Sequence, residues 1–399
     1  MRRPEASPRM RVLSVLSSST PACSGVGRLL FELSSRLAER VAFEFAIDDT
    51  HPENVAPIQA FGREHGIPVH VGPGLTSSRS LDSFSASLAG LLRRHDWDLV
   101  ETLGWSNAAT HALVLRELGE RPMVYTPVYQ PTWVGPLPEA VAIQTDSVHR
   151  SMANRADAVV CISPWERAVI QSQAPGRNHC HPSALGCDFN VHRAGPLVRE
   201  PKLLFVGDAA DPRKRFDRIV AALPRLLEWR SGIKLVVAGP AGASARDRIP
   251  ESLRPAVQFL DASGPGDLHR AYAESSGLIL LGENEAAGLP ILEALATGTP
   301  VFAADWGPMR SLFDPYKGVR FCPDDHPEAL FPVIAGSLER GAESIRETLK
   351  DRDRLRSAFD WDGLAIRKWT AMASAWFTRY YIDHPFRGPA ARDKPAVVA

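Results

Sequence analysis

Two glutamates eight residues apart, Glu285 and Glu293, are the residues whose types and spacing most clearly suggest chemistry. The mostly apolar segment 290–296 predicts a buried helix that carries Glu293 one turn inside it, and Glu285 precedes it on a glycine loop. A buried carboxylate needs hydrogen-bond partners, which the vicinal hydroxyls of a ribose would supply. In the loop, Gly288 and Leu289 would direct backbone N–H groups to phosphates. The alternative is that both acids only favour the positive end of the helix dipole.

Three consecutive cations, Arg213, Lys214 and Arg215, precede a second predicted helix at 216–229. They follow the end of a predicted strand, where Asp208 stands. Positive side chains at a helix N-terminus oppose the helix dipole, so helix stability alone does not account for them. A bound diphosphate would, because Arg offers a bidentate fork and Lys a point charge. The alternative is a solvated basic loop.

A third candidate is the pair Gly25 and Gly27, followed by Arg28, between the first predicted strand and the first predicted helix. Glycines there allow close approach to the backbone, and free N–H groups at a helix N-terminus attract anions. A dinucleotide fingerprint would need a third glycine where Leu30 stands, which disfavours nicotinamide or flavin binding. We favour a polar substrate loop, with a purely structural tight turn as the alternative.

Strand-length and helix-length segments alternate along the chain and would position these residues. Predicted strands lie at 11–16, 43–47, 68–71, 98–103, 123–126 and 158–162, then at 202–206, 234–238, 257–260, 278–281 and 300–303, with helices from 327 to about 381. Between the two sets, segment 190–200 has low periodicity and a Gly-Pro break, which predicts a domain boundary. Such alternation forms parallel sheets covered on both faces. We therefore expect two doubly wound α/β domains, with the site in the cleft between them, at the carboxyl ends of strands.

The composition excludes several function classes. Lys plus Arg equals Asp plus Glu, 46 each, which argues against nucleic acid as the main partner. No apolar run approaches the roughly 18 residues of a membrane span. The apolar stretch 11–16 is also too short for the core of a signal peptide. The sequence therefore predicts a soluble, cytoplasmic protein without an integral membrane segment and leaves its oligomeric state open.

Five scattered cysteines form neither a disulfide framework nor a CxxC metal motif. His179, Cys180 and His181, together with Cys187, are the only zinc candidates that the pattern suggests. Adjacent residues on a strand point to opposite faces, so these side chains cannot easily converge on one metal. We expect no metal site.

The segment from Glu285 to Glu293, with Gly288-Leu289-Pro290 inside it and Gly298-Thr299-Pro300 after it, resembles the donor-site signature of retaining glycosyltransferases of GT-B architecture. Glycosyltransferase family four (glycosyl transferases group 1) is the nearest match, and the resemblance spans nearly the whole chain. Lys214 looks like the family's phosphate-binding lysine, and residues 25–28 resemble its acceptor-side glycine loop.

The resemblance implies a GT-B fold, in which two doubly wound Rossmann-like domains face each other across a cleft. The implied domains are an acceptor-side domain at 1–192 and a nucleotide-sugar-binding domain at 193–360. Helices at 361–387 would cross back to the first domain, and we expect 388–399 to be a disordered tail.

The resemblance also implies roles for single residues. Glu293 would hold the donor ribose, and Glu285 would contact the transferred sugar. Lys214, helped by Arg213 or Arg215, would stabilise the negative charge of the leaving diphosphate. Such enzymes usually need no metal or cofactor, the nucleotide-diphosphate sugar being a co-substrate. Retention is usually explained by front-face attack, in which the leaving phosphate takes the acceptor proton, so no acid/base carboxylate pair is assigned.

Three positions depart from the family's pattern. Asp208 stands where the family commonly has Arg, so Arg213 or Arg215 would have to substitute. Val128 or Tyr129 occupies the place of a frequent His. At the end of loop 305–310, Arg310 stands where the family often has an acidic residue. A degenerate enzyme is therefore the alternative to an ordinary transferase.

The expected function is transfer of a sugar from a nucleotide-diphosphate donor to a small acceptor, in specialised-metabolite biosynthesis. Gln130 and Trp133 would shape a small, partly apolar acceptor site rather than one for a long polysaccharide. The alternatives are a non-catalytic or atypical nucleotide-sugar-binding protein: a pseudo-glycosyltransferase, a phosphorylase or a partner subunit.

Overall fold

The computed structural model describes residues 9–17, 25–72, 87–93, 97–103, 108–128, 139–174, 179–183, 185–239, 243–260, 265–282, 285–322 and 326–382. By their contacts these residues form two compact units. Unit 1 lies within Met1–Ala184 and Leu364–Ala399, and unit 2 within Leu185–Gly363. Each unit is a parallel sheet with helices, so the chain is of the α/β class, as predicted.

Unit 1 is built on a seven-stranded parallel sheet of order β3-β2-β1-β4-β5-β6-β7. Its strands are β1 (Met10–Leu16), β2 (Val41–Asp48), β3 (Val69–Gly72), β4 (Leu99–Leu103), β5 (Met123–Thr126), β6 (Ala158–Cys161) and β7 (Cys180–Pro182). Its helices are α1 (Gly25–Leu37), α2 (Pro52–His65), α3 (87–93), α4 (Ala108–Glu117), α5 (Glu139–Arg155) and α6 (Pro164–Gln173). Strands β4, β5 and β6 are buried along their whole length, as expected of parallel strands covered on both faces.

Unit 2 is built on a six-stranded parallel sheet of order β10-β9-β8-β11-β12-β13. Its strands are β8 (Glu200–Val206), β9 (Lys234–Ala238), β10 (Val257–Leu260), β11 (Ser275–Leu280), β12 (Val301–Ala304) and β13 (Val319–Cys322). Its helices are α7 (Phe216–Trp229), α8 (Ala243–Asp247), α9 (Pro265–Glu274), α10 (Leu289–Thr297), α11 (Gly307–Phe313), α12 (Pro327–Arg340), α13 (Ala342–Leu349) and α14 (Arg352–Phe359). Helix α15 (Trp361–Phe377) follows, and its residues from Leu364 onward cluster with unit 1.

The structure corrects several expected boundaries. Strand β13 was not predicted, because its four residues include Arg320 and are mostly only half-buried at the edge of the sheet. Strand β11 begins at Ser275 instead of residue 278, because backbone pairing extends across a bulge between Ser275 and Gly277, where apolar periodicity gives no signal. Helix α1 begins at Gly25, so the expected glycine loop forms the first turn of the helix.

A buried ion pair attaches α15 to the sheet of unit 1. The Lys368 ammonium donates to Glu101 on β4 and, over 2.8 Å, to the Thr126 hydroxyl at the end of β5. Ser14 on β1 donates to the other oxygen of Glu101 over 3.1 Å. Both charged side chains are almost inaccessible to solvent, at 3% and 4% exposure, so each depends on the other for compensation. Helix α15 therefore supplies the cation of a buried polar cluster on the sheet of unit 1.

We expect Lys368→Met to lower the free energy of unfolding by roughly 3 kcal/mol, because the Glu101 carboxylate stays buried without its cation. Urea denaturation followed by circular dichroism measures this loss. The double variant Glu101→Gln/Lys368→Met should recover at least part of it, since no uncompensated charge remains. A double variant as unstable as the sum of the two single variants would show that the pair is not coupled.

Candidate donor site

The predicted donor residues lie in unit 2, at the carboxyl ends of two adjacent strands. Strand β8 leads into segment 207–215 with the three cations, and β11 leads into the segment that carries Glu285. Since β8 has β9 on one side and β11 on the other, the order of winding reverses between β8 and β11. Open α/β sheets bind ligands at this edge, at such a switch point.

Lys214 and Glu285 form an ion pair across the two strand ends. The Lys214 ammonium donates to Oε1 of Glu285, and the side chains keep 24% and 16% exposure. A Cβ at Gly282 would lie 3.0 Å from this oxygen, and one at Gly207 would lie 3.6 Å from Cε of Lys214. The pair therefore lies against the glycines that end the two strands and is still reached by solvent.

The other cations of the basic segment have local structural roles. Asp211 caps the 3₁₀ turn Pro212–Lys214, accepting from the Arg213 N–H over 2.9 Å and from Nη2 of Arg213 over 2.6 Å. The hydrogen bonds to Asp211 raise the pKa of Arg213 above its ordinary value. Arg215 adopts a left-handed backbone (φ 50°) at the N-cap of α7. Protein carboxylates thus compensate Arg213 and Lys214, so their charges do not by themselves require a bound anion.

Asp208 and Arg310, two of the residues that depart from the family's pattern, also have hydrogen-bond partners close to them in sequence. Asp208 is exposed, and its Oδ1 accepts from the backbone N–H of Ala210 over 2.8 Å, which closes the turn after β8. Arg310 on α11 donates through two nitrogens to Asp305, over 2.6 Å each, and also pairs with Asp314. Each side chain therefore stabilises the loop or helix on which it stands.

The N-terminus of α10 offers a hydrogen-bond donor to a ligand. Gly288 is the N-cap, with a left-handed backbone (φ 58°), and a Cβ there would lie 2.8 Å from the sulfur of Met309. The helix begins at Leu289, one residue before the predicted start. The N–H groups of Ile291 and Leu292 both donate to the Gly288 carbonyl. Within the described chain the Leu289 N–H makes no hydrogen bond, so it is available to an anion at this edge.

Glu293 is 3% exposed and has partners within unit 2. The hydroxyl of Tyr272, on α9, donates to Oε2 over 2.8 Å. Nε2 of His192 lies 3.6 Å from Oε1. The sequence argument correctly required a partner for this carboxylate, but protein groups supply partners, so burial alone does not require a ribose.

Arg199 and Arg352 donate hydrogen bonds to backbone carbonyls of α10 and of residues around Glu293. Arg199 donates to the carbonyls of Tyr272, Ser275 and Thr297 over 2.8–3.2 Å. Arg352 donates to the carbonyls of Ala296 (2.9 Å) and His192 (3.2 Å). Burial lowers the pKa of Arg199 to about 10, so it keeps its charge at neutral pH. Cations at the C-terminal ends of α9 and α10 also complement the helix dipoles.

Two of these residues, His192 and Arg199, come from segment 190–200, which the sequence predicted to be a domain boundary. Tyr272, His192, Arg199 and Arg352 were not predicted as part of the site. Tyr272 lies at helical spacing on an amphipathic helix, which could not indicate contact with Glu293. Arg199 lies between two prolines, Pro196 and Pro201, in a stretch without apolar periodicity, and Arg352 begins α14, so only the tertiary structure reveals their partners.

The predicted acceptor-side residues belong to unit 1. Gly25, Gly27 and Arg28 form the first turn of α1, after β1. Val128, which follows β5, has a left-handed backbone (φ 47°), an unfavourable conformation for a β-branched residue. Gln130 and Trp133 lie outside the described residues.

Solved structures of low sequence identity share this architecture. Sucrose-phosphate synthase from Thermosynechococcus elongatus superposes with a TM-score of 0.74 at 18% identity, over 91% of this chain and 98% of that one. An Anabaena protein solved in complex with UDP and glucose gives 0.72 at 18% identity, over 92% and 100%. The two Rossmann-like units therefore define a GT-B fold.

Family comparisons identify the class of enzyme within that fold. Residues 190–357 match the family described as glycosyl transferases group 1, and residues 24–186 match the glycosyl transferase 4-like domain. The chain therefore belongs to the group 1, family-four-like glycosyltransferases. D-inositol 3-phosphate glycosyltransferase from Kineococcus radiotolerans is 27% identical over 365 residues, or 78% of this chain and 81% of that protein. With four other curated relatives the match spans only 18, 28, 51 and 60% of the relative's length.

We expect Tyr272→Phe to destabilise unit 2 by about 1–3 kcal/mol, because the buried Glu293 carboxylate loses a hydrogen bond. Chemical denaturation monitored by tryptophan fluorescence measures the change. Tyr316→Phe is the matched control, since Tyr316 is also buried and its hydroxyl makes no hydrogen bond within the described chain. Equal losses in the two variants would show that the contact with Glu293 adds nothing.

Proposed function

We propose that the protein is a retaining, metal-independent hexosyltransferase that moves a sugar from a nucleotide-diphosphate donor to a small acceptor. The observation that carries this proposal is the Lys214–Glu285 ion pair at the switch point of unit 2, on the chain segment that leads into the N-terminus of α10 with its open Leu289 N–H. Family membership supports glycosyl transfer, and the Anabaena protein of similar fold has UDP and glucose bound. Localisation in the cytoplasm stays a prediction from the sequence.

Each group has a proposed task. Lys214 and the N-terminus of α10 stabilise the diphosphate as negative charge develops on it. Arg213, Arg215 and Asp208 set the shape of the turn that carries Lys214. Glu285 accepts hydrogen bonds from the hydroxyls of the transferred sugar. These cations and the helix dipole do the work that a metal does elsewhere, and the nucleotide-sugar is a co-substrate, so no cofactor is required.

Glu293 is buried and already accepts a hydrogen bond from Tyr272, so its proposed role requires that it can accept another. Each carboxylate oxygen accepts more than one hydrogen bond, so Tyr272 does not exhaust the capacity of Glu293. We assign Glu293 to the donor ribose, with its orientation set by Tyr272. The buried carboxylate would then contact a ligand that enters beside α10.

The acceptor is proposed to bind in unit 1, beside the first turn of α1, with Gly25, Gly27 and Arg28. Gln130 and Trp133 favour a small, partly apolar molecule of specialised metabolism. Strain at Val128 supports this placement, because unfavourable backbone conformations concentrate at functional sites.

One observation favours a second candidate function, a non-catalytic or atypical nucleotide-sugar-binding protein. Val128 or Tyr129 stands where the family often has a His, the backbone of Val128 is strained, and Asp208 stands where the family commonly has Arg. A pseudo-glycosyltransferase, a phosphorylase or a partner subunit would bind the donor without ordinary transfer. Turnover that depends on phosphate would identify a phosphorylase.

Nucleoside diphosphates are expected to raise the melting temperature of the protein. A ligand at a hundred times its Kd adds about 2.7 kcal/mol of stability by mass action. We would test UDP, GDP, ADP and dTDP against the native protein, against Lys214→Met and against the exposed control Lys350→Met. The first variant should lose most of the shift and the second should keep it. If no diphosphate shifts the native protein, the donor site is refuted.

Glu285→Ala is then expected to reduce sugar transfer at least about a hundredfold without unfolding the protein, on the scale of a lost electrostatic contact in a catalytic site. Coupled assays of diphosphate release measure the rate, and NMR of the product gives its anomeric configuration. Unchanged turnover would remove Glu285 from the site, and an inverted product would contradict the retaining assignment.

A further inference from the structure

The Lys214–Glu285 ion pair joins two residues that have different ligands in the proposed donor complex. Lys214 would bind the diphosphate, and Glu285 would bind hydroxyls of the sugar. In the structure each is instead the partner of the other. A carboxylate and a phosphate are both anionic acceptors for the same ammonium group, so the two compete for Lys214.

The surroundings of the pair allow its partners to be exchanged. Within the described chain, the Lys214 ammonium and the Glu285 carboxylate make no second side-chain hydrogen bond. Both remain partly exposed, and the backbone beneath them is glycine at 207 and 282, so no side chain there has to move. Arg213, in contrast, is engaged by Asp211 through several hydrogen bonds on the same turn. Lys214 is therefore the cation whose present partner a diphosphate can replace.

We propose that Glu285 acts as an exchange partner that returns Lys214 from the diphosphate to the protein after sugar transfer. With an intact donor, the sugar hydroxyls hold Glu285 and the diphosphate holds Lys214. Once the sugar has left, Glu285 has lost its ligand and competes again for Lys214, which promotes release of the nucleoside diphosphate. This proposal rests on the donor site described under the proposed function.

The proposal predicts tighter product binding when Glu285 loses its charge, whereas loss of an ordinary ligand residue would weaken binding. Glu285→Gln keeps the size and polarity of the side chain but cannot hold an ammonium group by charge. We expect the Kd of the diphosphate that binds best among UDP, GDP, ADP and dTDP to fall roughly fivefold, the strength of a partly exposed ion pair. Isothermal titration calorimetry measures the Kd. The product-inhibition constant should fall by the same factor while turnover decreases.

A double-variant cycle separates competition for Lys214 from simple repulsion of the diphosphate by Glu285. In a Lys214→Met background, Glu285→Gln should change the Kd less than about twofold, because there is no ammonium left to release. An equal gain in both backgrounds would assign the effect to repulsion and overturn the proposal.

The remaining outcomes distinguish this proposal from the donor site itself. If the native protein binds a diphosphate and Glu285→Gln binds it equally or more weakly, the exchange is refuted while the donor site stands. If neither the native protein nor Glu285→Gln binds any of the four diphosphates, the donor site fails and the exchange fails with it.

Discussion

The structure of unit 2 depends on satisfying the C-terminal carbonyl groups of a short helix, α10, that is buried except at Pro290. Every helix leaves its last four carbonyls without partners inside the helix, and in α10 all four belong to buried residues, 294–297. The backbone N–H groups of Gly298 and Thr299, together with Arg199 and Arg352, supply donors to these carbonyls. The segment that follows unit 1 in sequence thereby becomes an integral part of unit 2.

The two ends of α10 differ in a way that suits catalysis. The C-terminal end is closed by protein donors, which fix the helix against α9 and the sheet. At the other end, Gly288 has a left-handed backbone, the Leu289 N–H makes no hydrogen bond within the described chain, and Glu285 lies just before this turn. A rigid helix therefore presents its open donor at a constant position, while the ion pair beside it has freedom to rearrange. Helix α10 thus positions the N–H donor, whereas Lys214 and Glu285 are the residues that exchange partners.

Much of this arrangement is predictable from the sequence, and the rest is not, for physical reasons. Alternating apolar segments predicted both sheets, and the prolines and glycines around α10 predicted its position to within one residue. Contacts such as that of Tyr272 with Glu293 depend on how helices pack, which periodicity does not encode. The pairing of Arg213 with Asp211 is local, yet the sequence pattern suggested only an excess of positive charge. Strand β13 was missed because an edge strand lacks the continuous apolar run of a central one.

The ion pair of Lys368 with Glu101 joins residues 267 positions apart and has a consequence for biosynthesis. The N-terminal part of a chain leaves the ribosome first, and domains commonly fold in order from the N-terminus. Here the sheet of unit 1 is made early, but the cation that compensates Glu101 arrives only after all of unit 2 has been translated. Until then the Glu101 carboxylate has no Lys368 ammonium to compensate its charge. Unit 1, although first in sequence, can reach its final stability only after unit 2 has been synthesised.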